Sequence, residues 1–471
     1  MAAPPGARLI EVALPLPLFR TFTYAVPPAF ERVPPPGSRV VVPVRGKRTI
    51  GICVGAPDAG AAPGVAQLSD VADLPDAEPV FSAELLELCR WIARYYVVPL
   101  GVVMRAALPA LLTGAAVPRP AQRSRRILVL RRELPTLHER EAAFARATRQ
   151  RALYEALEGM GGHAEVPHLT AQLGFSASVV KALVERGFAS VESAIVARDP
   201  FASRPVAPAA HHTPTDAQRA AIDALVGAPP GHTILLHGIT GSGKTLVYIE
   251  LLREIVLRRN RSALVLVPEI ALTPQTVDRF RAVFGDQVAV LHSALGDGER
   301  YDAWLALRRG EKRIAVGARS AIFAPLADLG AIIVDEEHES SYKNGETPRY
   351  HAREVAVVRA RLEGAVTVLG SATPSLESWQ NAAAGKYRLL SLPERVGHGR
   401  LPSVEVIDMR RARGSTAAAV AVADEPGAAA ARAAFHRVFS EPLEAALGER
   451  LQRGEQSILL LNRRGYAAFV Q

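Results

Sequence analysis

The chain has 471 residues, 49% of them apolar, and its 56 Lys and Arg against 47 Asp and Glu give a formal net charge of +9. This length predicts several domains with sizeable cores, and the basic excess mildly favours a polyanionic partner. Cys53 and Cys89 are too few for a disulfide framework and no apolar run is long enough to span a membrane, so secreted disulfide-rich and membrane-spanning classes are excluded; we expect a cytoplasmic protein without a membrane partner.

The first part of the chain predicts a small β-rich domain over residues 1–110. Short apolar or alternating runs cut by Pro and Gly predict its strands, which are RLIEVALPL, RTFTYAVP, SRVVVPV and RTIGICVG. A helical pattern, SAELLELCRWIARYYVVP, follows them, and Ser82 is placed to cap it. A Pro/Ala stretch around 114–122 indicates the boundary of this domain.

Residues 115–200 predict a second, mainly helical domain. Three helical patterns precede a strand-like segment, ASVESAIV; they are RALYEALEGM, VPHLTAQLG and SASVVKALVERG. Three short helices with a hairpin are typical of a winged helix, in which the third helix can lie against DNA. Ordinary packing of helices is the alternative. The composition of 201–212 indicates a linker.

From residue 205 to 395 the pattern predicts a parallel α/β sheet covered on both faces. Its strand patterns alternate with longer helical ones and are HTILLHG, SALVLVPE, QVAVLH, KRIAVGA, GAIIVDEE and AVTVLGSA. Residues 396–440 include an Ala-rich stretch at 410–434 and predict a linker or insertion. A helix capped by Ser440 and a strand, QSILLLNRRGY, predict the incomplete start of another domain over 441–471.

The segment GITGSGKT (238–245) matches the pattern G-x-x-x-x-G-K-[ST], which binds nucleotide phosphates. Its glycines let successive N–H groups face a phosphate, and the following helix adds its positive N-terminal dipole. Lys244 is predicted to contact the β- and γ-phosphates and Thr245 to ligate Mg²⁺. The predicted nucleotide-binding residues are Gly238, Gly241, Ser242, Gly243, Lys244, Thr245 and, for hydrogen bonds to adenine, Gln218.

The segment DEEH (335–338) follows the apolar run AIIV, so that a parallel sheet would bring it to the P-loop. Asp335 is predicted to complete the Mg²⁺ site, and Glu336 to orient or deprotonate the attacking water. A solvated acidic turn is the alternative.

Three more segments follow predicted strands and indicate a nucleic-acid motor. VPEIALTPQ (267–275) and GARSAIFAPL (317–326), which includes Arg319, are suited to phosphate contacts with DNA. In GSATPS (370–375), Ser371 and Thr373 are predicted to sense the state of the phosphates, with His338 as a further coupling residue.

The order TPTDAQ, GITGSGKT, VPEIALTPQ, GARSAIFAPL, DEEH, GSATPS resembles that of superfamily-two helicases. The run DEEHESSYKNGETPRYHAREVAVVRA, with VALPLPLFRTFTYAVP near the start and LLLNRRGY near the end, is similar to the PriA family of replication-restart helicases. The resemblance extends from about Ile10 to Gly465. It implies a multidomain α/β protein with a 3′-DNA-end-binding domain at 1–110, a winged helix at 115–200, a RecA-like lobe at 205–395 and part of a second lobe.

The resemblance also implies two DNA-binding regions. Phe22, Gly46 and Lys47 would line a pocket for a 3′ end, although Thr23 stands where some relatives carry an acidic residue. The segment SYKNGETPRYHAR would couple DNA binding to ATP hydrolysis, because aromatic rings interleaved with cations can stack bases and hold phosphates. The candidates in this loop are Tyr342, Lys343, Arg349, Tyr350 and His351. A solvated basic loop is the alternative.

The implied function is an ATP-dependent DNA helicase that recognises stalled or abandoned forks, unwinds the lagging-strand duplex 3′ to 5′ and initiates primosome assembly. The ligands and partners implied are ATP, Mg²⁺, forked and single-stranded DNA, primosome proteins and single-stranded-DNA-binding protein.

Family members carry zinc-binding cysteines after the NRRG segment and an arginine finger in the second lobe. Neither occurs in this sequence, so we expect no structural zinc of that kind and slow or absent hydrolysis. The alternatives are another superfamily-two repair translocase and a non-catalytic fork-binding fragment.

Overall fold

The computed structural model describes residues 8–57, 68–114, 123–145, 147–166, 168–196, 212–293, 295–396, 403–408 and 439–460. The NRRGY segment, the Ala-rich stretch at 410–434 and most of the predicted linker at 201–212 lie outside these residues. The chain forms two units, Met1–Gly397 and His398–Gln471.

The first sheet has four antiparallel strands in the order β2-β1-β4-β3. They are Leu9–Ala13 (β1), Phe22–Ala25 (β2), Arg39–Val44 (β3) and Lys47–Gly55 (β4). Arg45 and Gly46 connect β3 to β4 with φ values of 48° and 78°, as a tight two-residue hairpin requires. The four strands predicted from alternating apolar residues are therefore confirmed.

Two helices follow this sheet, Ala83–Tyr95 (α1) and Leu100–Ala107 (α2), with a 3₁₀ turn at Ala110–Thr113. The Ser82 Oγ accepts a hydrogen bond from the Leu85 N–H, which caps α1 as predicted. The apolar face of α1 joins the hydrophobic core of the large parallel sheet described below. The one helix predicted within the β-rich domain, α1, thus packs against another part of the chain, and α2 was not predicted.

Residues 123–196 form a three-stranded antiparallel sheet in the order β6-β5-β7 with its own hydrophobic core. The strands are Arg123–Leu130 (β5), His163–Glu165 (β6) and Ala189–Val196 (β7); the helices are Leu137–Phe144 (α3), Thr148–Gly159 (α4) and Ala177–Glu185 (α5), with a π-helical turn at His168–Gln172. The predicted strand β7 pairs with β5, which precedes the helices, rather than with a neighbouring hairpin strand. Sequence analysis missed β5 because half of RSRRILVL is polar.

A seven-stranded parallel sheet forms the largest part of the structure, in the order β10-β11-β9-β12-β13-β8-β14. The strands are Thr233–Gly238 (β8), Ser262–Leu266 (β9), Val288–Leu291 (β10), Ile314–Gly317 (β11), Leu329–Val334 (β12), Val366–Ser371 (β13) and Arg388–Leu392 (β14). The helices are Asp216–Val226 (α6), Lys244–Leu252 (α7), Pro274–Phe284 (α8), Asp297–Arg308 (α9), Ala352–Glu363 (α10) and Leu376–Ala383 (α11).

Both faces of this sheet are covered, as the continuous apolar strand patterns predicted. Along β12, Ile332 and Val334 join the core that contains residues of α1, α9 and α10, whereas Ala331 and Ile333 join the core that contains residues of α6, α7 and α8. Six of the seven strands were predicted. The seventh, β14, lies at the sheet edge and is mostly exposed or half-buried, so its sequence lacks the apolar signal of a central strand.

In the second unit, Glu441–Gln452 (α12) is capped by the Ser440 Oγ, which accepts from the Leu443 N–H as predicted. The strand predicted from Gln456 onward is not formed over the described residues 456–460. A strand needs a hydrogen-bonding neighbour, and the described part of this unit provides none. None of the described helices has the length and apolar content that crossing a lipid bilayer requires.

Candidate functional site

The predicted P-loop connects the carboxyl end of β8 to the amino end of α7. Gly241 and Gly243 have φ values of 82° and 79°, a left-handed conformation that glycine adopts readily. A Cβ on Gly243 would lie 2.3 Å from the Nε2 atom of Gln218. The glycines therefore allow both the sharp turn and the close approach of α6 to the loop.

The DEEH segment follows β12 and meets the P-loop at the carboxyl edge of the sheet. The Lys244 Nζ donates to the Gly238 carbonyl at 2.9 Å and lies 3.7 Å from the Glu336 Oε1. The Tyr248 hydroxyl, one turn further along α7, donates to the Asp335 Oδ1 at 3.0 Å. The two motifs, about ninety residues apart in sequence, are thus in direct contact.

Two acidic residues of this segment are in unfavourable states: Asp335 has a raised pKa, and Glu336 has a strained backbone conformation. Burial, and then the neighbouring Glu336 carboxylate, raise the pKa of Asp335, while the hydrogen bond from Tyr248 opposes that rise. Burial also raises the pKa of Tyr248 well above its ordinary value. Glu336 has a φ of 43°, which costs a non-glycine residue about 1–3 kcal/mol. Such strain is typical of functional sites.

These residues fit a Mg²⁺–nucleotide complex. Within the described part of the chain, the buried Ser242 Oγ has no hydrogen-bond partner, so its hydroxyl is free for a phosphate. Thr245 lies in the first turn of α7, where its hydroxyl and the half-buried Asp335 carboxylate offer the oxygen ligands that Mg²⁺ prefers. No group of three or more His, Cys, Asp or Glu side chains suited to a metal ion occurs among the described residues.

Gln218 has a role that differs from the predicted contact with adenine. Its Nε2 donates to the Ser242 carbonyl at 2.8 Å, and its Oε1 accepts from the Thr215 N–H at 2.9 Å. The side chain is buried, and both of its polar atoms are bonded within the protein. In this structure Gln218 supports the P-loop and caps α6 instead of presenting a free amide edge to a base.

The three predicted coupling residues lie together beside Glu336. The His338 Nδ1 is 2.8 Å from the Ser371 Oγ, which also accepts from the Thr373 N–H at 3.0 Å. The His338 Nδ1 is 3.7 Å from the Glu336 Oε2. His338 therefore connects Glu336 to Ser371 at the end of β13, so that a movement of Glu336 can displace Ser371.

Sequence analysis missed Glu337, which has the most complete set of partners in the DEEH segment. Its side chain is fully buried and lies 2.9 Å from the Arg353 Nη1. It also accepts from the Ser375 N–H at 2.7 Å and the Ser378 hydroxyl at 2.8 Å. Ser375 caps α11, a pattern visible in the sequence, but nothing local indicates that α11 begins against this carboxylate.

The predicted aromatic segment SYKNGETPRYHAR (341–353) contributes most of the loop 340–351, and both of its tyrosine rings turn into the protein. Tyr342 is only 1% exposed, and its hydroxyl donates to the Asp335 carbonyl at 2.6 Å. Tyr350 packs edge-on against Phe323, with ring centroids 5.3 Å apart, and burial raises its pKa to about 12. Neither ring can stack on a base in this conformation, because the core already covers it; this corrects the prediction for both residues.

The cations of this loop are arranged differently. Lys343 and Arg349 are exposed, and the Lys343 Nζ donates to the Arg349 carbonyl at 2.6 Å. Arg319 supports the loop by donating to the Lys343 carbonyl at 2.9 Å. His351 is half-buried, and its backbone N–H donates at 3.0 Å to the hydroxyl of Tyr96, which lies at the carboxyl end of α1. Burial, followed by the charge of Arg353, lowers the pKa of His351.

The predicted 3′-end residues lie on the four-stranded sheet. Phe22 begins β2 and has the Arg20 guanidinium 4.9 Å from its ring centroid, while Gly46 and Lys47 are exposed at the β3–β4 hairpin. Thr23 is paired across the strands with Glu11 and donates its hydroxyl to the Glu11 Oε1 at 2.5 Å. A carboxylate is therefore present beside position 23, contributed by the adjacent strand.

Two family models match the chain: a 3′DNA-binding domain (3′BD) over residues 11–109 and a DEAD/DEAH box helicase over residues 215–382. Among curated proteins, the Replication restart protein PriA of Bacillus subtilis (strain 168) is 35% identical over 96% of this chain and 61% of its own length. The proteins of the same name from Synechocystis sp. and Chlamydia pneumoniae are 42% and 34% identical, over 67% and 95% of this chain. The alignments cover 36% and 57% of those two relatives, so this chain spans less than two thirds of each of the three.

Proposed function

The chain belongs to the family of PriA replication restart proteins, and from that premise we propose that it acts as an ATP-dependent DNA helicase at stalled or abandoned replication forks. The observation that carries this proposal is the contact between the P-loop and the DEEH segment: Lys244 lies 3.7 Å from Glu336, and Tyr248 connects α7 to Asp335. Separate motifs meet in this way where a phosphate bond is to be broken.

In the proposed mechanism, the backbone of 238–245 and the Ser242 hydroxyl bind the phosphates of ATP, and Thr245 and Asp335 hold Mg²⁺. Bound Mg²⁺ would neutralise charge on the phosphate oxygens. Lys244 exchanges its hydrogen bond to the Gly238 carbonyl for one to a phosphate oxygen. Glu336 orients the attacking water and accepts its proton. His338, Ser371 and Thr373 transmit the change at Glu336 to the end of β13.

The proposed DNA contacts belong to two regions. Phe22, Gly46 and Lys47 receive a 3′ end, and Glu11, held by Thr23, supplies the carboxylate that some relatives have at position 23. Lys343 and Arg349 contact phosphates from the exposed side of the loop 340–351. His351 and Arg319 hold that loop in place, and Tyr342 and Tyr350 anchor it from the core.

The remaining assignments are proposals from family membership. They are a winged helix at 115–200, a RecA-like lobe at 205–395, a partial second lobe at 441–471, unwinding 3′ to 5′, and assembly with primosome proteins and single-stranded-DNA-binding protein on forked DNA in the cytoplasm. The independent core of residues 123–196 supports a separate domain there.

The test is ATP hydrolysis by the chain with and without a synthetic fork that has a 3′ end. Turnover that the fork stimulates and that Glu336→Gln abolishes is the expected result. Glu339→Gln is the matched control, because Glu339 directly follows DEEH in the sequence. This variant should hydrolyse ATP at the normal rate.

A second candidate function is fork binding without catalysis, which the match of residues 11–109 to a 3′DNA-binding domain favours. Intact binding of MgATP and of the fork without any turnover would support this candidate and contradict the first. Absence of both binding activities would contradict both candidates.

A further inference from the structure

Three aromatic side chains cluster at the carboxyl end of α1. Trp91 and Tyr95 are stacked with their ring centroids 4.8 Å apart and their planes 16° apart. Tyr96 contacts both rings edge-on, at 6.1 Å from Trp91 and 4.9 Å from Tyr95. Tyr95 is 63% exposed, although a stacked aromatic pair of this kind is usually covered. We call Trp91, Tyr95 and Tyr96 the α1 aromatic cluster.

Cations border the α1 aromatic cluster. The Lys343 Nζ lies 5.3 Å from the centroid of the Tyr96 ring. Arg94 precedes Tyr95 in α1; its side chain is 72% exposed and donates to the Glu87 Oε1 at 2.8 Å, a pairing that a phosphate would have to replace. Proteins commonly bind unpaired nucleotides with aromatic rings beside cations, because the rings stack on bases and the cations attract phosphates. A purely apolar protein interface would not require these charges at its centre.

The backbone next to the cluster is strained. Val97 has a φ of 52°, a conformation that a β-branched residue rarely adopts, and its side chain is 73% exposed. Val97 is the left-handed residue that ends α1, because the buried Val98 donates its N–H to the Ala93 carbonyl at 3.0 Å. This helix end leaves Tyr95, in the last turn of α1, 63% exposed.

The α1 aromatic cluster also contacts the loop 340–351. The Tyr96 hydroxyl accepts from the His351 N–H, and Lys343 sits over the Tyr96 ring. In the same loop, Tyr342 donates to the carbonyl of Asp335 in the ATP site. A ligand on the cluster would therefore lie against the loop that contacts the proposed Mg²⁺ ligand.

We propose that the α1 aromatic cluster is a stacking site for unpaired bases of single-stranded DNA, with Lys343 and Arg94 contacting the flanking phosphates. The inference rests on the proposed function, because it requires a chain that binds DNA. It differs from the predicted loop contacts: the ring exposed to bases is that of Tyr95, backed by the half-buried Trp91 and Tyr96, whereas the loop's own tyrosines are buried.

The experiment uses the whole chain and a single-stranded oligonucleotide with 2-aminopurine, whose fluorescence falls when the base stacks on an aromatic ring. We expect quenching with the unmodified chain and a loss of quenching in Tyr95→Ala. Affinity should fall by about 5- to 100-fold, the usual effect of removing one stacked ring. Tyr95→Phe keeps the ring and should bind like the unmodified chain, whereas Tyr95→Leu keeps bulk alone and should behave like Tyr95→Ala.

Lys343→Gln provides a second, independent measurement. Loss of one phosphate contact should reduce the slope of log affinity against log salt by about 0.7 for a single strand. Equal melting temperatures for all four variants would exclude unfolding as the cause of weaker binding.

The outcomes separate this inference from the proposed function. If the unmodified chain binds no single-stranded DNA, the proposed function fails first. If the unmodified chain and Tyr95→Ala bind the oligonucleotide and quench 2-aminopurine equally well, the proposed stacking site is wrong. Contact with another protein is then the remaining role for the cluster. If Phe22→Ala lowers the affinity only for oligonucleotides with a free 3′ end, that loss of affinity reports on the β-rich domain. Such a result would leave the proposed α1 site intact.

Discussion

The P-loop and the loop 340–351 both follow strands of the parallel sheet, yet they present their chemistry through different atoms. In the P-loop, glycines with positive φ shape the backbone, and the Lys244 Nζ donates to the Gly238 carbonyl of the same loop. In the loop 340–351, the motif residues Tyr342 and Tyr350 point inward and pack in the core. A motif that acts through the backbone can be interpreted locally, whereas one that acts through side chains depends on what surrounds it.

The anchoring of the two loops differs as well. Gln218 supports the P-loop through hydrogen bonds to backbone atoms. The loop 340–351 is flanked by a buried ion pair, since Glu337 precedes it and Arg353 follows it, 2.9 Å apart. Four predictions test this contrast.

The largest expected effect is on stability, from removing the ion pair that flanks the loop 340–351. Glu337→Ala should lower the free energy of unfolding by about 3–5 kcal/mol, because the Arg353 Nη1, the Ser375 N–H and the Ser378 hydroxyl all lose their buried acceptor, although Arg353 keeps its ion pair with Glu354. Urea denaturation measures the change. Glu185→Ala, which breaks the exposed pair with Lys181, is the control and should have little effect. Equal effects of the two substitutions would contradict a special role for the buried pair.

The next effect concerns the P-loop side chain. Lys244→Ala should lower ATP turnover by about 10²–10³-fold, as expected when a donor to the reacting phosphate is removed. The exposed Lys386→Ala is the matched control and should keep normal turnover. Should the unmodified chain prove inactive, the affinity for MgATP is measured instead. Normal activity in Lys244→Ala would mean that the contact with Glu336 is only structural.

A smaller effect separates strain from steric contact in the P-loop. Gly243→Ala and Gly310→Ala both place a side chain at positive φ, 79° and 69°, at a cost of about 1–2 kcal/mol each. Only at Gly243 does the added Cβ meet an atom, the Gln218 Nε2 at 2.3 Å; at Gly310 the space is open. We expect weaker MgATP binding for Gly243→Ala alone, and partial recovery when Gln218→Ala is added. No recovery in the double variant would show that backbone strain is the whole effect.

The smallest effect is expected from a single hydroxyl in the loop 340–351. Tyr342→Phe should lower the free energy of unfolding by about 1 kcal/mol, because the bond to the Asp335 carbonyl is lost while the ring stays buried. Tyr95→Phe, on the exposed α1 ring, is the control for stability. A Tyr342→Phe variant as stable as the unmodified chain would show that the bond to the Asp335 carbonyl contributes nothing to stability.

Much of the fold follows from local pattern. The strands β1 to β4 and β8 to β13 were predicted from alternating or continuous apolar runs, and the caps Ser82 and Ser440 from their positions before helical patterns. The strands β5 and β14 were missed because half of RSRRILVL is polar and most of β14 is exposed or half-buried, so neither has the apolar pattern of a central strand. The participation of α1 in the core of the parallel sheet was missed because it depends on residues that lie far away in sequence.

The sequence by itself determined where the proposed nucleotide site lies, because GITGSGKT specifies the glycine-rich turn after β8 and DEEH follows the buried strand β12. The tertiary structure alone decided which side chains of the loop 340–351 face solvent, which partners Glu337 has, and that the exposed aromatic rings belong to α1. Burial and ion pairing are properties of surfaces brought together from distant parts of the chain, and the spacing of residues within one segment does not contain them.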